Sequence, residues 1–530
     1  MCTNYIITSP PPTTNGDLHL GHLSGPYLHA DVFAKAKQTL GHKVVHLSGT
    51  DDHQSYVVTK AKEEKRSIKD TITEYREEII KTLLLADIKI DFFEDPTNNK
   101  HIKFVQNFFL DLYEKGVFIE KNELGYYCKT CDEFLFEAHI KGKCPNCSCI
   151  SGGNYCEACG QPNNPLNLVE PYCTTCKKTP IKKKLSNLFF PLENYRNLLE
   201  QYFDNNASKY RSHLKNLISS MLSQPLPDVP ITNYYKWGIP VPLDSFKGYV
   251  LNVWFEMFPG HINSLEEYCK INSKNNQNNN WLRNENPHIV QFLGFDNSFY
   301  YIFLHQALAL ASNKYALSDS FITNKFYLLE GQKFSTSRGH AIWAKDFLRK
   351  EPSDIVRFYL CNTSPEEEEN NFSETEYNVF KNNIYHCLVS ILTKLKNATI
   401  HNKQYLSNQD LKIVETTLIK YEKKLTSLYK CHDFSLIQIS EVLKAFLTKI
   451  NHLNIENLYK QQVGLIIKAM SSFLYPLMPK LSECLNEILN EKFSNNFSIQ
   501  CSNFVSEIDI DTLDDLIKML NKYCRSSITI

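Results

Sequence analysis

Four Cys-x-x-Cys pairs between residues 128 and 176 constrain the fold of this chain more than any other feature. They are separated by twelve, eight and thirteen residues and comprise Cys128/Cys131, Cys144/Cys147, Cys156/Cys159 and Cys173/Cys176. Each pair places two thiolates on one tight turn, and two such turns complete a tetrahedral metal site. The eight cysteines therefore predict one or two structural zinc ions, in a segment that folds around metal rather than around a large apolar core.

Two other uses of paired cysteines are disfavoured. A redox Cys-x-x-Cys would need a thioredoxin-like surrounding, which the neighbouring sequence lacks. A disulfide framework would need a secreted chain, yet residues 1–4 do not begin a basic stretch followed by an apolar one. No uninterrupted apolar run approaches the length of a membrane span. We therefore expect a cytoplasmic protein that has no membrane contact.

Length and charge set wide limits on domains and partners. At 530 residues the chain is too long for one core, which favours about three domains. Lysine and arginine together number 58, and so do aspartate and glutamate. The overall charge therefore does not demand a nucleic acid partner, and a bound nucleic acid would have to meet a local basic surface.

The first fifty residues have the pattern of a strand, a helix and a second strand. Residues 5–7 are apolar and lead to three prolines at 10–12, which stop strand pairing. Apolar residues recur at helical spacing from Leu18 to Leu40, and residues 44–47 are mostly apolar again. This pattern predicts a right-handed parallel crossover, whose ligand crevice lies at the carboxyl ends of the strands.

The rest of the chain divides by composition. Residues 120–238 are rich in cysteine, glycine and proline, as expected for an insertion. Two apolar segments, 250–254 and 288–293, predict that the parallel sheet resumes, with an exposed asparagine-rich loop between them. After about residue 373, apolar stripes at helical spacing predict an antiparallel helix bundle.

Two short segments three hundred residues apart suggest a nucleotide site, namely His19-Leu20-Gly21-His22 and Lys333-Phe334-Ser335-Thr336-Ser337. The first places two imidazoles on one side of the predicted helix, facing the crevice, and its glycine leaves room for a base or a phosphate. The helix N-terminus would add unpaired amides that favour an anion. A His-x-x-His pair by itself is equally typical of two surface histidines or of half a metal site.

Together with the cysteine pairs between them and Trp237-Gly238-Ile239-Pro240-Val241-Pro242, these segments resemble class I aminoacyl-tRNA synthetases of the methionyl family. The resemblance implies an α/β fold in which a Rossmann-type nucleotide-binding domain is split by a zinc-binding insertion and followed by an all-α helix bundle. The expected limits are 1–118 and 239–345 for the halves of the catalytic domain, 119–238 for the insertion, 346–372 for a stem-contact linker and 373–530 for an anticodon-binding-like bundle.

The resemblance also implies a chemistry. ATP with Mg²⁺ and an amino acid would be the substrates, and the carboxylate would attack the α-phosphorus while pyrophosphate leaves. His19, His22 and Lys333 are expected to act on the phosphates, since such catalysis comes from positioning and from donors aimed at developing charge. The expected ATP-binding residues are Asn15, Gly16, Gly21, Gly294, Asp296, Ser335, Thr336 and Ser337. Thr336 and Phe295 each stand where the family has a lysine.

The amino-acid pocket implied by the resemblance has matches and departures. Asp51 matches the carboxylate that holds the substrate ammonium, and Trp254 matches an aromatic wall. The departures are Thr13 and His261 in place of tyrosines, Asn297 in place of an isoleucine, Tyr301 in place of a histidine, and Met257 and Phe258 in place of a small residue and a proline. An unpaired Asn297 beside an apolar thioether chain would cost about 1 to 3 kcal/mol. A reshaped and more polar pocket that binds methionine poorly is therefore predicted.

For the cysteines, the resemblance implies that the inner pairs (Cys144, Cys147, Cys156, Cys159) share one ion and that the outer pairs (Cys128, Cys131, Cys173, Cys176) share another. Two closed four-thiolate sites would be structural rather than catalytic. The family uses this insertion near the tRNA acceptor end. Lysines 177, 178 and 182–184 would suit a phosphate contact there, although a solvated lysine face is the commoner explanation of such a run.

The bundle carries weaker signs of tRNA binding. Ile391 and Leu395 stand where the family has an anticodon-reading asparagine and arginine, and no tryptophan follows Trp343 to stack on a base. Base stacking of that kind is worth about 1 to 3 kcal/mol per base. A tRNA partner is therefore expected, with doubtful anticodon contacts, and the chain is expected to be a monomer.

Three functions are compatible with these observations. The leading one is an enzyme that makes an aminoacyl adenylate, from methionine by family resemblance, and transfers the acyl group to tRNA. The second is a paralogue that activates another amino acid or uses a non-tRNA acceptor, which the altered pocket and bundle positions favour. The third is a zinc-containing tRNA-binding or regulatory module with impaired catalysis, which Thr336 and Phe295 favour and the intact His19, His22 and Lys333 oppose.

Overall fold

The computed structural model describes residues 3–153, 156, 158–159, 161–272, 281–334, 340–400, 408–453, 458, 460–490 and 508–524. Its strands are β1 Asn4–Thr8, β2 Lys43–Gly49, β3 Phe92–Glu94, β4 Ile119–Cys128, β5 Glu133–Leu135, β6 Ile140–Lys143, β7 Ile150–Ser151, β8 Val169–Cys173, β9 Ile181–Pro191, β10 Asp228–Pro230, β11 Thr232–Tyr234, β12 Tyr249–Leu251, β13 His288–Gly294, β14 Ser320–Asn324, β15 Tyr327–Leu329, β16 Gln332–Lys333 and β17 Asn370–Phe372.

The α-helices are α1 Leu20–His22, α2 Leu28–Thr39, α3 Ser55–Glu64, α4 Ile68–Leu85, α5 Asn99–Glu114, α6 Arg196–Asn206, α7 Ser212–Leu222, α8 Val253–Ile271, α9 His305–Ser312, α10 Ala344–Leu348, α11 Ser353–Asn362, α12 Glu374–Ile400, α13 Asn408–Leu428, α14 Leu436–Asn451, α15 Lys460–Leu474, α16 Pro479–Ile488 and α17 Ile510–Cys524. Two π-helical segments, Leu23–Tyr27 and Phe299–Leu304, continue directly into α2 and α9. None of the described helices combines the length and the apolar character needed to cross a bilayer.

A five-stranded parallel sheet in the order β14-β13-β1-β2-β3 organises the first 330 residues. Ile6 of β1 pairs with Val45 of β2 on one side and with Ile289 of β13 on the other, and all three side chains are buried. The predicted crossover from β1 through α2 to β2 is confirmed. Strand order reverses between β1 and β13, so the crevice that can receive a ligand lies at the carboxyl ends of these two strands.

The segment 250–254 is not a strand of the parallel sheet. β12 pairs antiparallel with β11, and α8 already begins at Val253. The Asn252 side chain accepts a hydrogen bond from the Trp254 amide at 2.9 Å and thereby caps α8. Residues 250 and 251 do form a strand, but the prediction was wrong for residues 253 and 254. A short apolar run fits a strand and a first helical turn equally well, whereas a capping asparagine marks the helix. The second predicted strand, 288–293, is confirmed as β13.

The insertion is built from small antiparallel sheets. One has the order β10-β9-β4-β5 and another the order β7-β6-β8. Around the cysteines the buried apolar cluster is small, and its members are Tyr126, Cys128, Leu135, Ile140, Leu168 and Cys173. Such a cluster buries too little apolar surface to fold by itself, which agrees with a segment stabilised by bound metal. Residues 273–280 of the predicted asparagine-rich loop, which follows α8, lie outside the described residues.

The described part of the region after residue 373 consists of helices joined by short turns, as predicted. The buried residues of the three stripes are Ile384, Leu388, Ile391, Leu395, Ile439, Phe446, Ile450, Ile466, Met470 and Phe473. Val442 is only partly buried, and Leu477 is buried beyond the end of α15.

A buried arginine ties this helical region to the parallel sheet. Arg357 of α11 donates to the Asp31 carboxylate of α2 at 2.6 Å. It also donates to four main-chain carbonyls, those of Ala86, Asp87, Pro476 and Leu477, at 2.7 to 3.1 Å. A buried ion pair holds two elements together when its remaining donors are satisfied in this way. The bundle is thereby anchored to the helix that follows the histidine pair.

Candidate functional site

A cavity of about 380 Å³ lies at the carboxyl ends of β1 and β13. The site residues expected from the sequence that line it are Thr13, Asn15, Gly16, His19, Gly21, His22, Asp51, Trp254, Gly294, Asp296, Asn297, Tyr301 and Lys333. Ser335, Thr336 and Ser337 lie outside the described residues. His261 does not line this cavity. Residues from five separate parts of the chain therefore meet at one place, as the strand reversal requires.

The two histidines cap each other's backbone at the start of α1. The His19 amide donates to His22 Nδ1, and the His22 amide donates to His19 Nδ1, both at 3.2 Å. The rings stack with centroids 3.6 Å apart and planes inclined by 12°. Because each Nδ1 accepts a hydrogen bond, the ring proton resides on Nε2 in both side chains. Each imidazole thus keeps one N–H donor that its partner does not use.

Both imidazoles are neutral near pH 7. Burial lowers the pKa of His19 to about 2, with smaller contributions from His22 and from the positive charge of Lys333. Burial and the Lys333 charge lower the pKa of His22 to about 4. Neutral rings can donate hydrogen bonds to an anion without a change of protonation when it binds.

Two expectations about this turn need correction. The amides at the helix start are not all unpaired, because those of His19 and His22 bond the opposite ring and that of Leu20 donates to the Ile342 carbonyl at 3.0 Å. The space beside Gly21 is also filled, since a Cβ there would stand 3.0 Å from the Phe334 ring. The side-chain N–H groups, rather than a helix N-terminus, are therefore the donors that this turn offers to an anion.

Phe334 brings the two distant motifs together. Its ring stacks on His19 with centroids 4.8 Å apart. The preceding residue, Lys333, lies at the end of β16, and its Nζ stands 4.0 Å from the centre of the Phe326 ring. Three stacked rings, those of His22, His19 and Phe334, thus fix the start of the second motif, which begins at Lys333, against the histidine turn. This contact depends on the apolar residue of the motif, which the sequence did not single out.

Asp51 follows β2 and is almost completely buried in the cavity wall, beside Thr13. Burial raises the pKa of its carboxyl well above the usual range, and the nearby charge of Glu256 raises it further. A carboxylate in such a place is stabilised by a cation that enters with a ligand. The geometry agrees with the expected binding of an ammonium group.

Aromatic rings form one end of the cavity. Trp254 stacks on Tyr300 with ring centroids 4.2 Å apart and an inclination of 8°. Tyr301 is fully buried, and its hydroxyl lies 3.9 Å from Met257 Sδ and 3.4 Å from His261 Nε2. His261 therefore stands behind Tyr301 rather than in the cavity wall, so its expected contact with the amino acid is indirect. Asn297 is only partly buried, which leaves its amide partly open to water.

A buried chain of acidic and histidine side chains lies behind Asp51. Glu256 accepts from His53 at 2.9 Å and from His101 at 3.0 Å, and His101 lies 3.4 Å from Glu94. Burial alone would raise the pKa of Glu256, yet the two histidines hold it down at about 2. Burial would lower the pKa of His101, but its hydrogen bonds to Glu256 and Glu94 raise it to about 9. A negative charge thus stays fixed behind Asp51.

Several cavity residues were missed at the level of sequence. Tyr27 lies in the π-helical segment, where the wider turn redirects its side chain, and its pKa is raised by burial and by the charges of Asp51 and Asp296. Lys325 and Phe326 directly follow β14 and line the cavity beside Lys333. Their position at the carboxyl end of a parallel strand was the signal that could have identified them.

The eight paired cysteines form two separate clusters of four. One contains Cys144, Cys147, Cys156 and Cys159, and the other contains Cys128, Cys131, Cys173 and Cys176, with all sulfurs of a cluster within 4.8 Å of one another. Individual Sγ–Sγ distances are 3.4, 3.5, 3.8 and 4.0 Å. A tetrahedral site with metal–sulfur bonds of about 2.3 Å needs sulfurs about 3.8 Å apart. Both clusters fit four-thiolate coordination, in the grouping that the resemblance implied.

The residues whose expected roles concern tRNA differ in how far they are exposed. The lysines at 177, 178 and 182–184 are exposed on the insertion, as a phosphate contact would require. Ile391 and Leu395 are fully buried in the bundle core, so neither could face an anticodon. Their burial confirms the predicted core stripe, and the expectation of doubtful anticodon contacts stays a prediction.

Comparison with known proteins identifies similar chains. A family model described as "tRNA synthetases class I (M)" matches residues 5–397. The methionine–tRNA ligase of Methanococcus aeolicus is 30% identical over 519 residues, which cover 93% of this chain and 76% of that protein. The methionine–tRNA ligase of Methanosphaera stadtmanae is 33% identical over 373 residues, which cover 70% of this chain and 54% of that protein.

A solved structure agrees with the fold. The structure of Mycobacterium tuberculosis methionyl-tRNA synthetase bound by methionyl-adenylate matches with a TM-score of 0.73 at 15% identity, covering 92% of this chain and 95% of that one. At that identity the match concerns the fold alone. The family model covers more than half of the chain and the sequence relatives extend over most of it, so the chain belongs to the methionyl family of class I tRNA synthetases.

Proposed function

We propose that this chain activates methionine with ATP and transfers the methionyl group to tRNA. In the first step a carboxylate oxygen of the amino acid forms a bond to the α-phosphorus, the bond to the β-phosphate oxygen breaks, and pyrophosphate leaves. In the second step a ribose hydroxyl of the tRNA attacks the carbonyl carbon of the adenylate and AMP leaves. We assign these steps to residues 1–118 and 239–345, with 119–238 as the insertion, 346–372 as a stem-contact segment and 373–530 as the bundle.

One observation carries the proposal more than any other: His19, His22, Lys333 and Asp51 line a single cavity. The neutral histidines offer Nε2–H donors, Lys333 offers a positive charge, and Asp51 offers a buried carboxylate. An aminoacyl adenylate requires anion donors at one end and a partner for an ammonium group at the other. We propose that the first three hold the phosphates and that Asp51 holds the amino group.

The aromatic end of the cavity would receive the side chain of the amino acid. Trp254 provides an apolar wall, and the Tyr301 hydroxyl faces the thioether sulfur of Met257 at 3.9 Å. The remaining members of the cavity, among them Asn15, Gly16, Gly294 and Asp296, would surround the nucleotide.

The test is methionine-dependent exchange of labelled pyrophosphate into ATP by the full chain. The other common amino acids and a blank without amino acid are measured in parallel. Exchange with methionine alone, followed by methionylation of tRNA, is the expected result. Exchange with another amino acid only would overturn methionine as the substrate and favour the paralogue, for which the polar Asn297 beside the cavity is the motivating feature. No exchange with any amino acid would contradict the adenylate chemistry.

We further propose that each cysteine cluster holds one structural zinc ion. The four thiolates would close the coordination sphere, so the metal would fold the insertion and take no part in the reaction. The basic surface at lysines 177, 178 and 182–184 would then be presented to the tRNA.

Two zinc ions per chain are expected by elemental analysis. Cys147→Ser is expected to remove one of them and to expose the insertion to proteolysis, because it deletes one ligand of a four-thiolate site. Cys149→Ser is the matched control, since Cys149 is exposed two residues away and belongs to neither cluster. A chain with normal protease resistance and no bound zinc would contradict the assignment.

A further inference from the structure

Phe295 and Lys325 leave the parallel sheet side by side. Gly294, the last residue of β13, is paired with Asn324, the last residue of β14. Because parallel strands that end in register present their next residues at the same edge, positions 295 and 325 are neighbours. The structure shows this contact directly, since Lys325 Nζ lies 4.0 Å from the centre of the Phe295 ring.

We propose that Lys325 contacts the phosphates of the bound nucleotide and serves, with Lys333, as a second positive charge for the leaving pyrophosphate. The inference rests on the proposed activation of an amino acid by ATP. Lys325 would act as a catalytic residue of that reaction, because its ammonium group would touch the charge that develops on the phosphate oxygens. It deepens the proposed function by naming a residue that sequence reasoning did not select.

The charge of Lys325 is available to a ligand. Its ammonium group has no ion-pair partner among the described residues, and its contact is the face of the Phe295 ring. A ring face holds a cation in place without neutralising it, unlike a carboxylate. Lys325 also lines the same cavity as the histidine pair. A cation in this position raises the local concentration of a polyanionic ligand and stabilises it once bound.

Lys333, which lines the same cavity, sits in a matching arrangement. Its Nζ also lies 4.0 Å from a ring centre, that of Phe326, which directly follows Lys325 in the chain. The two lysines line the same cavity as the His19 and His22 donors. Two cations and two neutral N–H donors at one end of a cavity match the charge and the hydrogen-bonding capacity of a triphosphate.

The position of Lys325 is also relevant to two residues that depart from the family pattern. Residue 295 is a phenylalanine where the resemblance has a lysine, and residue 336 is a threonine where it has another. Lys325 delivers an ammonium group to the edge of the sheet at which a lysine at 295 would emerge. Its presence accounts for how a site with these two replacements keeps enough positive charge for phosphate chemistry.

The test uses variants of the full chain. Lys325→Met keeps the aliphatic stem on the Phe295 ring and removes the charge, whereas Lys325→Arg keeps the charge. Lys314→Met is the matched control, because Lys314 is exposed outside the cavity and its Nζ likewise rests on a ring, 5.0 Å from the centre of Tyr315. The measurements are kcat and KM for ATP and for the amino acid in pyrophosphate exchange, and calorimetric binding of magnesium ATP.

Lys325→Met is expected to lower kcat/KM for ATP by at least about tenfold, with little change in KM for the amino acid. Lys325→Arg is expected to retain most of the activity, and Lys314→Met to match the unaltered chain. The double variant Phe295→Lys with Lys325→Met is expected to recover part of the loss, because it returns the charge from the neighbouring strand. A Lys325→Met value within about threefold of the unaltered chain would overturn the inference.

Calorimetric binding of magnesium ATP distinguishes failure of the Lys325 contact from failure of the proposed reaction. If the unaltered chain shows no exchange but binds magnesium ATP, and Lys325→Met weakens that binding about tenfold, the contact stands while the proposed reaction fails. If binding is unchanged by Lys325→Met, the contact is overturned. If the unaltered chain neither exchanges nor binds ATP, the inference and the proposed function fail together.

Discussion

Lys333→Ala is expected to lower methionine-dependent pyrophosphate exchange by about a hundredfold to a thousandfold, the usual cost of losing one preorganised donor to developing charge. Lys333 lies where the histidine turn meets the segment that follows β16, and its charge is strong enough there to lower the pKa of both His19 and His22. The loss should appear mainly in kcat and in KM for ATP or pyrophosphate. KM for methionine should change little, because the proposed partner of the amino group is Asp51 and not Lys333.

The control for Lys333→Ala is Lys350→Ala, since Lys350 is an exposed lysine on the turn after α10. Thermal unfolding of both variants should match the unaltered chain, because the Phe334 stack on His19 does not depend on the Lys333 side chain. Turnover of Lys333→Ala within about tenfold of the unaltered chain would remove this lysine from the phosphate chemistry.

Asp51→Asn is expected to abolish recognition of the amino group. Loss of one partner of a buried charge pair costs about 2 to 5 kcal/mol, which corresponds to roughly thirtyfold to several thousandfold in kcat/KM for methionine. KM for ATP should change much less. Asp111→Asn is a suitable control, because Asp111 is an exposed aspartate on α5. An unchanged kcat/KM for methionine would show that another group binds the ammonium.

Because the pKa of Asp51 is raised, the unaltered chain and Asp51→Asn should differ in how kcat/KM for methionine depends on pH. Only the carboxylate can pair with an ammonium group, so kcat/KM for methionine should rise with pH through the raised pKa of Asp51 in the free protein. Asp51→Asn should lose that limb of the profile. If kcat/KM for methionine still rises with pH in Asp51→Asn, the titrating group is not Asp51.

The stability of the folded chain should depend on pH in the opposite direction to kcat/KM for methionine. A carboxyl whose pKa is raised by folding holds its proton more tightly in the folded chain, so stability falls as pH rises from the unfolded pKa to the folded pKa. Burial therefore makes the ionised form of Asp51 unfavourable in the folded chain, and Asp51→Asn should unfold at the same temperature or a higher one. An inactive but stable variant would separate lost binding from misfolding.

Local spacing was enough to predict much of this molecule. The Cys-x-x-Cys turns, the helical stripes after residue 373 and the strand, helix and strand of the first fifty residues all depend on contacts between near neighbours in the chain. Their geometry follows from the period of a helix or strand and from the reach of a turn. The same holds for the histidine pair, whose two rings meet because they are three residues apart.

Short segments without such a period were ambiguous, and there the sequence failed. Residues 250–254 were assigned to a strand although Asn252 starts a helix two residues into the run. Ile391 and Leu395, in contrast, lie in the bundle core, as their helical spacing predicted. The period of a helix was enough there, because both residues belong to one long apolar stripe.

The sequence by itself determined the family, the cysteine spacing and most of the residues that surround the cavity. The tertiary structure alone decided that Phe334 joins the two motifs, that His261 stands behind Tyr301, and that Lys325 lies against Phe295. The physical reason is that these contacts depend on strand register and on packing between elements far apart in the chain. Spacing along the chain determines which side chains a turn presents on one side. The register of β13 with β14 determines that Phe295 and Lys325 become neighbours.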